Sequence, residues 1–365
     1  MLKFIHASDF HLDSAFGALS AQQAAARRRE SRELGFRLAN YVRAHAIDFV
    51  LLAGDLLDGQ RAYRETAEQF SAALAEMAVP VCIAPGNHDC HCAGSVWERA
   101  EWPENVHIFR ESKLTAVEFP QWNLTVHGAA FTATEQAASQ LAGFTAPEDG
   151  RVHIGLLHGE VEAAETRYNS LRREEIAASG LAYLALGHIH KRAEPKKYGG
   201  TLCAWPGCIE GRGFDELGEK GFFEGTISDS GAVSLQFVSF ARHRYEILEV
   251  DVTGKQPRAA VEAALPPDTA QDLYRILLTG ETGESGVDVS ALTESLADRF
   301  YALEVRDHTR MAEDVWQRAE EDSLRGLFLR ELRAKLNIAK TAEERETITR
   351  AARFGLAALD HRDLG

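Results

Sequence analysis

The chain has 365 residues, of which 45% are hydrophobic, and it carries a formal net charge of -15 at pH 7. This length and apolar content can support two domains with a sizeable core. A strand-like run begins at the second residue and no apolar run approaches the length of a membrane span, so we expect a cytoplasmic protein. The acidic balance disfavours a free-standing nucleic-acid-binding protein, which usually has a basic surface.

Short, nearly continuous apolar runs predict strands of a sheet that is covered on both faces. They occupy residues 2–6, 49–53, 81–84, 152–157 and 181–186. Helix-like stretches at residues 21–43 and 64–77 separate the first three runs. This alternation indicates βαβ units, in which ligands collect beyond the carboxyl ends of the strands.

Potential metal-binding side chains follow each of these runs. The segments are Ser8-Asp9-Phe10-His11, Gly54-Asp55-Leu56-Leu57-Asp58, Gly86-Asn87-His88-Asp89, His158-Gly159-Glu160 and Gly187-His188-Ile189-His190. Each segment alone has an ordinary explanation, since an Asp-x-His pair arises by chance and Gly-Asn-His-Asp can be a turn. All of them in this order, each after a strand, predict one composite site.

The residue types in these segments suit two divalent cations. Two carboxylates, one amide and four imidazoles are available, from Asp9, His11, Asp55, Asn87, His158, His188 and His190. Imidazoles and an amide favour manganese, iron or zinc over a hard ion such as calcium. Two such cations can activate a water and hold a phosphate when one carboxylate bridges them. The sequence therefore predicts a two-metal phosphoesterase site.

The remaining elements of the first domain are predicted from shorter patterns. Residues 114–118 and 122–127 indicate strands, and a short helix is expected from Glu135. Residues 201–204, 222–228 and 233–240 are typical of antiparallel strands that form the second sheet of a β-sandwich. The turn Ser228-Asp229-Ser230-Gly231 predicts a hairpin between the last two. We place the end of this domain at residue 240.

The pattern changes after about residue 241, where the metal-binding motifs end. Residues 241–308 predict a small α/β domain with strands at 245–252, 272–279 and 300–305 and helices at 256–264 and 289–299. Residues 309–365 predict a helical segment of two helices. The first has Leu324, Phe328, Leu332 and Leu336 on one face, and Thr341 with Glu344 predicts a capping box for the second. These helices either pack against each other or the α/β domain, or provide a docking surface.

The five cysteines include no CxxC pair, as in a reduced intracellular protein. Cys90-His91-Cys92 lies beside the predicted site and could suggest zinc binding. Three successive ligands cannot all face one ion without strain, so we expect reduced thiols at the mouth of the site.

Basic clusters interrupt the acidic sequence at Arg27-Arg28-Arg29 with Arg32, at Arg172-Arg173, and at Lys191-Arg192 with Lys196-Lys197. The arginine run can contact phosphate, or it can pair with Glu30 and Glu33 on a solvated helix face, and the sequence leaves both open. Bound cations would add positive charge at the site itself. If the substrate is a nucleic acid, we expect a weak intrinsic affinity that a partner increases.

Over about the first 230 residues the chain resembles the calcineurin-like metallophosphoesterase superfamily, and within it the SbcD-type DNA repair nucleases. The metal-binding segments carry the resemblance to the superfamily. The resemblance to the YhaO-like bacterial branch rests on Asp9 to Asp13, on Tyr183 to Lys191, and on Gly211-Arg212 followed by Glu216-x-Gly218-Glu219-Lys220-Gly221. The sequence assigns no chemistry to this last motif.

The resemblance implies a four-layer metallophosphoesterase β-sandwich of the α/β class, flanked by helices, and it implies a role for each site residue. One metal would be bound by Asp9, His11, Asp55 and His190, and the other by Asp55, Asn87, His158 and His188, with Asp55 as the bridge. His88 resembles the catalytic histidine of the family, which protonates the leaving oxygen, and Asp89 would orient its ring. Asp13 and Asp58 would either contact the ligands or cap local structure.

The resemblance also implies partners. In SbcD-type nucleases a domain in the position of residues 241–308 caps the active site and helps select DNA. A C-terminal helical element binds the coiled-coil root of an ABC-type, SMC-like ATPase, and the family also implies a homodimer formed through helices near the first domain. We therefore expect a DNA exo/endonuclease that uses manganese, with iron or zinc as alternatives, and acts in DNA repair.

Two other functions stay open. The chain could be a stand-alone phosphodiesterase or phosphatase on nucleotides or other small phosphate esters, or a non-catalytic subunit with structural metals. The complete ligand set and His88 disfavour the non-catalytic role. A protein Ser/Thr phosphatase is also disfavoured, because Gly59 follows Asp58 where that family has arginine, and Asp89 stands where it has glutamate.

Overall fold

A computed structural model of the chain describes residues 1–17, 19–59, 62–163, 166–282, 286–311 and 315–359. The strands in chain order are β1 (Leu2–Ala7), β2 (Phe49–Leu52), β3 (Val81–Ile83), β4 (Val106–Ile108), β5 (Thr115–Phe119), β6 (Leu124–Gly128), β7 (Val152–His158), β8 (Glu160–Val161), β9 (Ser170–Leu171), β10 (Tyr183–Gly187), β11 (Lys196–Tyr198), β12 (Thr201–Ala204), β13 (Gly221–Ile227), β14 (Val233–Ser239), β15 (Tyr245–Asp251), β16 (Leu273–Thr279), β17 (Glu281–Thr282), β18 (Ala302–Asp307) and β19 (Arg310–Met311).

The α-helices are α1 (Ala21–Ala44), α2 (Arg64–Met77), α3 (Val96–Arg99), α4 (Arg173–Ala178), α5 (Pro257–Ala264), α6 (Val289–Leu296), α7 (Leu324–Ile338) and α8 (Ala342–Leu359). Short 3-10 helices span Pro120–Trp122, Ala297–Arg299 and Gln317–Glu320. Among the described residues, no helix combines the length and the apolarity needed to cross a membrane.

The first sheet has the strand order β14-β13-β1-β2-β3-β4. Strands β1 to β4 are parallel, and β13 and β14 extend the sheet as antiparallel strands beside β1. Helices α1 and α2 cover the outer face, where Leu34, Leu38 and Phe70 are buried with Ile5 and Val50. This arrangement confirms the predicted βαβ units at the start of the chain.

The second sheet has the order β11-β12-β10-β7-β6-β5. Strands β6, β7, β10 and β12 are parallel, and the two edge strands are antiparallel to their neighbours. A core that includes Phe4, Phe49, Ile154 and Tyr183 joins the two sheets. On the far side, Ile176 of α4 packs with Leu184 and Leu186. The layered α/β sandwich predicted from the sequence is therefore confirmed.

The structure differs from two local expectations. The hairpin of β13 and β14 was expected in the second sheet, but Phe4 of β1 pairs with Gly225, which places the hairpin in the first. The helix expected from Glu135 is absent from residues 135–144, which form turns instead. There, Gln136 accepts from Asn169 and donates to Arg167 through the backbone, so distant chain segments satisfy the groups that a helix would pair internally.

The chain divides into two compact units, of residues 1–248, 266–276 and 295–304 and of residues 249–265, 277–294 and 305–365. A three-stranded sheet has the order β15-β16-β18. The domain boundaries expected at residues 240 and 308 stay a prediction. Residues 312–314 and 360–365 of the predicted C-terminal segment lie outside the described residues.

Helices α7 and α8 of the second unit pack against each other. Leu329 of α7 is buried with Ala352 and Leu356 of α8. Thr341 accepts from the backbone of Glu344, whose carboxylate accepts from the backbone of Thr341, so the predicted capping box is present. Apolar side chains on both helices stay exposed, namely Leu324, Leu327, Ile338 and Phe354.

Candidate metal centre

Strained backbone positions the candidate ligands at the carboxyl ends of the strands. Asp9, His11, Asp55 and His188 all have positive φ, at 55°, 45°, 51° and 94°. Non-glycine residues rarely adopt this conformation, and where they do the surrounding structure must hold them there. The loops after β1, β2 and β10 therefore hold these residues in the backbone conformation that sets the direction of their side chains.

Two glycines allow these loops to approach one another. Gly54 has a φ of +81°, and a Cβ there would lie 2.7 Å from Nδ1 of His158. A Cβ on Gly187 would overlap the carbonyl oxygen of Ala53. Glycine therefore precedes Asp55 and His188 because the strand ends converge too closely for a side chain.

A first group of ligand atoms comes from Asp9, His11 and His190. Nε2 of His11 lies 3.2 Å from Nε2 of His190, which in turn lies 3.8 Å from Oδ1 of Asp9. The backbone N–H of His188 donates to the Asp9 carboxylate at 3.1 Å and holds it in place. Asp9 and His11 are buried, whereas the His190 side chain is 32% exposed.

A second group comes from Asn87, His158 and His188. Oδ1 of Asn87 lies 3.0 Å from Nε2 of His158 and 3.1 Å from Nδ1 of His188. His158 is completely buried, and its Nδ1 donates to the carbonyl oxygen of Ala53 at 2.8 Å.

Asp55 lies between the two groups. Its Oδ2 is 3.8 Å from Nε2 of His11 and 3.3 Å from Nε2 of His158, while its Oδ1 accepts from the backbone N–H of His88 at 2.8 Å. Burial would raise the pKa of Asp55, but the charge and hydrogen bond of His158, with the charges of His11 and His88, hold it well below its usual range. An ionised carboxylate in this position can bridge two cations.

Each of the four candidate ligand histidines has one ring nitrogen in a ligand group, the inner nitrogen, and a second, outer nitrogen. Each outer nitrogen contacts an acceptor. Nδ1 of His11 faces Asp58 at 3.4 Å, Nδ1 of His190 donates to Glu216 at 2.7 Å, and Nε2 of His188 donates to Glu160 at 2.8 Å. These contacts, with Ala53 on His158, place a proton on each outer nitrogen, so that in the neutral rings the inner nitrogens have the lone pairs that bind a metal.

The donor set fits two divalent cations. The inner nitrogens of His11 and His190 face each other at 3.2 Å, and lone pairs at that distance repel unless a positive charge lies between them. Although burial opposes the shift, Asp55 raises the pKa of His158 to about 9. The surroundings of His158 therefore favour a positive charge. Neutral imidazoles, one amide and two carboxylates form a ligand set that suits divalent metal ions.

His88 lies beside the first group and is 47% exposed. Its Nδ1 is 3.2 Å from Oδ1 of Asp58, and its ring centroid is 4.8 Å from that of His11. The hydrogen bond that His88 donates to Asp58 raises the pKa of His88 despite partial burial, and the charge of Asp55 adds to this. With Nδ1 engaged, Nε2 carries the proton that an imidazolium can give to a leaving oxygen.

Asp89 differs from the expectation that it orients the ring of His88. Its carboxylate accepts from the backbone N–H groups of Gly86 at 2.7 Å and Leu56 at 2.8 Å, and more distantly from those of Asp55 and Leu57. Burial and the charge of Asp55 raise the pKa of Asp89 to about 7. Asp89 therefore connects the loop after β3 to the loop after β2, because the buried amides of both loops need an acceptor. The carboxylate that contacts His88 is that of Asp58 and not that of Asp89.

Sequence reasoning did not assign a role to Glu160 or Glu216. Glu160 belongs to the His-Gly-Glu segment and Glu216 to the motif after Gly211, so their positions were visible while their contacts were not. Tyr168, with its ring 4.8 Å from that of His188, was missed entirely. Asp13 accepts from the backbone of Tyr63 and the hydroxyl of Thr66, so it joins the loop after β1 to the start of α2.

The cysteines beside the site do not join it. Cys90 and Cys92 have their sulfurs 3.9 Å apart and are not joined by a disulfide bond. In the part of the chain that the structure describes, the groups of converging ligand atoms contain histidines and aspartates and no cysteine.

The basic clusters have different surroundings. Arg27 is buried and pairs with Glu30 at 2.8 Å and Glu210 at 2.9 Å, so the start of the arginine run is structural. The other clusters are at the surface, at Arg172, Arg173, Lys191, Arg192, Lys196 and Lys197.

The chain is similar to a curated protein and to a solved structure. A similar curated protein is an uncharacterized metallophosphoesterase, YhaO, of Bacillus subtilis strain 168, which is 34% identical over 265 residues. The match covers 69% of this chain and 64% of YhaO, so the chain spans less than two thirds of the length of that relative. A crystal structure of TT1561 of Thermus thermophilus matches 65% of this chain and 98% of its own at 13% identity and a TM-score of 0.39.

Residues 2–192 match the sequence profile of the family described as calcineurin-like phosphoesterase. The matched region includes every candidate metal ligand from Asp9 to His190. The chain therefore belongs to the calcineurin-like phosphoesterase family.

Proposed function

We propose that the protein is a two-metal phosphodiesterase that cleaves DNA in DNA repair, as the nuclease subunit of a complex with an ABC-type, SMC-like ATPase. The observation that carries this proposal is the pair of ligand groups that share Asp55, with His88 held by Asp58 beside them. This arrangement supports in-line attack on a phosphate ester with acid assistance to the leaving oxygen.

The side chains divide the work of such a reaction. Divalent metals, most simply Mn2+ with Fe2+ or Zn2+ as alternatives, would supply an activated water and neutralise the phosphate charge when bound by the two groups. Asp55 and the histidines fix the geometry, and Asp89 holds two of the ligand loops together. His88, with a raised pKa, keeps a proton available for the sugar oxygen that leaves.

The choice of a diester over a phosphorylated protein rests on position 59. Gly59 stands where the protein phosphatases have the arginine that clamps a terminal phosphate. A diester carries less charge on its phosphate than a monoester and depends less on such a clamp.

The choice of DNA rests on the resemblance to SbcD-type nucleases and on the exposed basic residues. Lys191 and Arg192 directly follow the candidate ligand His190, and Lys196 and Lys197 lie on the edge strand β11. Such residues would contact backbone phosphates. The net charge of -15 limits intrinsic affinity, so a partner that binds DNA would increase the effective concentration at the site.

The partner proposal rests on the C-terminal helices. Leu327 on α7 is 53% exposed and Phe354 on α8 is 52% exposed, although both helices bury apolar residues against each other. Exposed apolar side chains on a helix pair support docking of a coiled coil. We also propose a homodimer in the cytoplasm, as in the related nucleases.

Labelled single- and double-stranded DNA, incubated with Mn2+ and the purified protein alone and with its ATPase, tests the nuclease function. We expect cleavage by the wild type and loss of cleavage in Asp55→Ala and His88→Ala. His91→Ala, in the same loop and outside the ligand groups, is the matched control and should cut normally. Absence of cleavage by the wild type under both conditions would refute the nuclease function.

The alternative function is a phosphodiesterase on nucleotides or other small phosphate esters. Turnover of a cyclic nucleotide, without cleavage of either DNA, would select it. The position of Tyr168 supports this alternative. Its ring lies 4.8 Å from the ring of the candidate ligand His188, where it can stack on a nucleobase.

A further inference from the structure

We propose, on the basis of the two-metal function above, that Glu216 is a positioning residue that fixes His190 as a ligand, with Arg212 holding Glu216. Occupancy of the cation site at Asp9, His11 and His190 then depends on Glu216, whereas occupancy of the site at Asn87, His158 and His188 does not. These residues belong to the motif after Gly211 for which the sequence provides no chemistry.

His190 is the candidate histidine that packing holds least. Its side chain is 32% exposed, compared with 0% for His11 and His158 and 15% for His188. A ring with that freedom needs a directional contact to present Nε2 toward Asp9. Nδ1 of His190 lies 2.7 Å from Oε1 of Glu216 and 3.1 Å from Nη2 of Arg212. The shorter contact is the directional one, and because a carboxylate can only accept, it places the proton on Nδ1 and fixes the ring orientation.

Glu216 is itself buried and held on both oxygens. Its side chain is 4% exposed, and Oε1 accepts from Nη2 of Arg212 at 2.7 Å. Oε2 accepts from the backbone N–H of Arg212 at 2.8 Å. A buried carboxylate with a cationic partner and a backbone donor can move little, so the imidazole that it contacts is fixed as well.

The same motif also holds the His190 backbone and reaches the catalytic side of the site. Nζ of Lys220, a residue that is 5% exposed, donates to the His190 carbonyl oxygen at 3.3 Å. Nη1 of Arg212 donates to Oγ of Ser14 at 3.3 Å, and that hydroxyl donates to Asp58 at 3.1 Å. The motif therefore makes polar contacts with the His190 backbone and, through Ser14, with Asp58.

The second site has a different support. His158 is fixed by complete burial and by the carbonyl oxygen of Ala53 at 2.8 Å. The outer nitrogen of His188 donates to Glu160, whose side chain is 23% exposed. None of these contacts involves Arg212, Glu216 or Lys220, so a change at Glu216 should leave the second site intact.

Metal binding without nucleic acid tests the assignment. Purified wild type and variants are titrated with Mn2+ while free Mn2+ is followed by electron paramagnetic resonance, and bound metal is counted by mass spectrometry after dialysis. We expect two ions per chain in the wild type. In Glu216→Ala one ion should bind as in the wild type, and the other about 10- to 100-fold more weakly.

Two further variants separate positioning from folding. Glu216→Gln keeps the shape and one acceptor oxygen, so the weaker ion should bind with an affinity between those of the wild type and Glu216→Ala. Glu219→Gln is the matched control, because Glu219 lies in the same motif but is exposed and pairs with Arg244 at 3.1 Å. Its two ions should bind as in the wild type.

Two ions bound with wild-type affinity by Glu216→Ala, or an equal loss of both ions in Glu216→Gln, would overturn the assignment. Both outcomes are read from metal binding alone and leave DNA cleavage to be judged separately. A wild type that binds fewer than two ions would instead refute the two-metal function itself.

Discussion

The carboxylate of Asp58 contacts two histidines at once, with Oδ1 3.2 Å from Nδ1 of His88 and 3.4 Å from Nδ1 of His11. One of these histidines is a candidate metal ligand and the other is the candidate acid. These two contacts hold the pKa of Asp58 well below its usual range although burial opposes the shift, so the carboxylate stays ionised. Asp58 thereby links the orientation of a ligand to the protonation of the acid.

We expect His88→Ala to lower kcat on a phosphodiester by about 100- to 10,000-fold, the usual effect of losing a general acid. Asp58→Asn should lower kcat less and should change the pH profile. Because Asp58 raises the pKa of His88, its neutralisation should move the alkaline limb of the kcat profile to lower pH. Rates measured from pH 6 to 9 check this.

The contact of Asp58 with His11 requires a control for metal loss, so bound metal is counted in each Asp58→Asn sample. His91→Ala should keep the wild-type profile. An alkaline limb that stays in place in Asp58→Asn with full metal content would contradict the proposed role of the pair.

Asp55→Ala should weaken binding of both cations, because the Asp55 carboxylate lies between the two groups. We expect at least about a 100-fold loss in metal affinity, the upper end of the effect of removing an outer contact. Calorimetric titration with Mn2+ measures it. Asp13→Ala, which removes a contact with Thr66 outside the ligand groups, should retain two ions. Retention of one tightly bound ion in Asp55→Ala would argue against a bridge.

Much of the fold could be predicted from the sequence because its strands are buried on both faces. Strands β1, β2, β3 and β7 appear as continuous apolar runs, and their order with α1 and α2 specifies parallel pairing. The position of the β13–β14 hairpin could not be predicted, since pairing of Phe4 with Gly225 joins residues far apart in sequence.

The ligand set was predictable for a similar reason. Each ligand lies at the end of a strand or in the loop after it, and parallel strands present their carboxyl ends at one edge. The outer contacts were not predictable, since Glu216 lies in a loop without periodicity and meets His190 across 26 residues. Asp89 and Asp58 were both visible, but only the loop conformation decides which of them contacts His88.

Metal binding should release a proton at neutral pH. Asp55 raises the pKa of His158 to about 9 in the metal-free protein, so at pH 7.5 this imidazole is protonated, whereas a metal ligand must be neutral. Affinity should therefore rise with pH by up to about tenfold per unit and level off above pH 9. Calorimetry at pH 7.5 in two buffers of different ionisation enthalpy measures the release, and equal heats in both buffers would contradict it.

His6 should make the fold sensitive to acid. Its Nε2 donates to the Leu186 carbonyl oxygen at 3.2 Å, and its Nδ1 accepts from the Tyr183 hydroxyl at 2.6 Å, across the interface between the sheets. Complete burial lowers the pKa of His6 to about 3, although the bond to Leu186 opposes the shift. The folded protein thus keeps His6 neutral where the unfolded chain, with an ordinary pKa near 6.5, takes up a proton.

The stability that comes from this difference is complete above about pH 6.5 and is lost as the pH falls from there toward 3, at roughly 1.4 kcal/mol per pH unit. His6→Leu leaves the Tyr183 hydroxyl without its acceptor and should cost about 1–3 kcal/mol at pH 7.5. The variant lacks the titrating group, so its deficit should shrink by about 2 kcal/mol at pH 5. Urea unfolding at both pH values, with a chelator present, measures this.

The matched control is His308→Leu, because His308 is exposed between β18 and β19 and its loss should change the free energy of unfolding little at either pH. A deficit in His6→Leu that stays the same from pH 7.5 to 5 would show that His6 does not set the acid response. A deficit that shrinks would show that His6 is neutral where it is buried between the two sheets. His6 lies in β1, three residues before the candidate ligand Asp9.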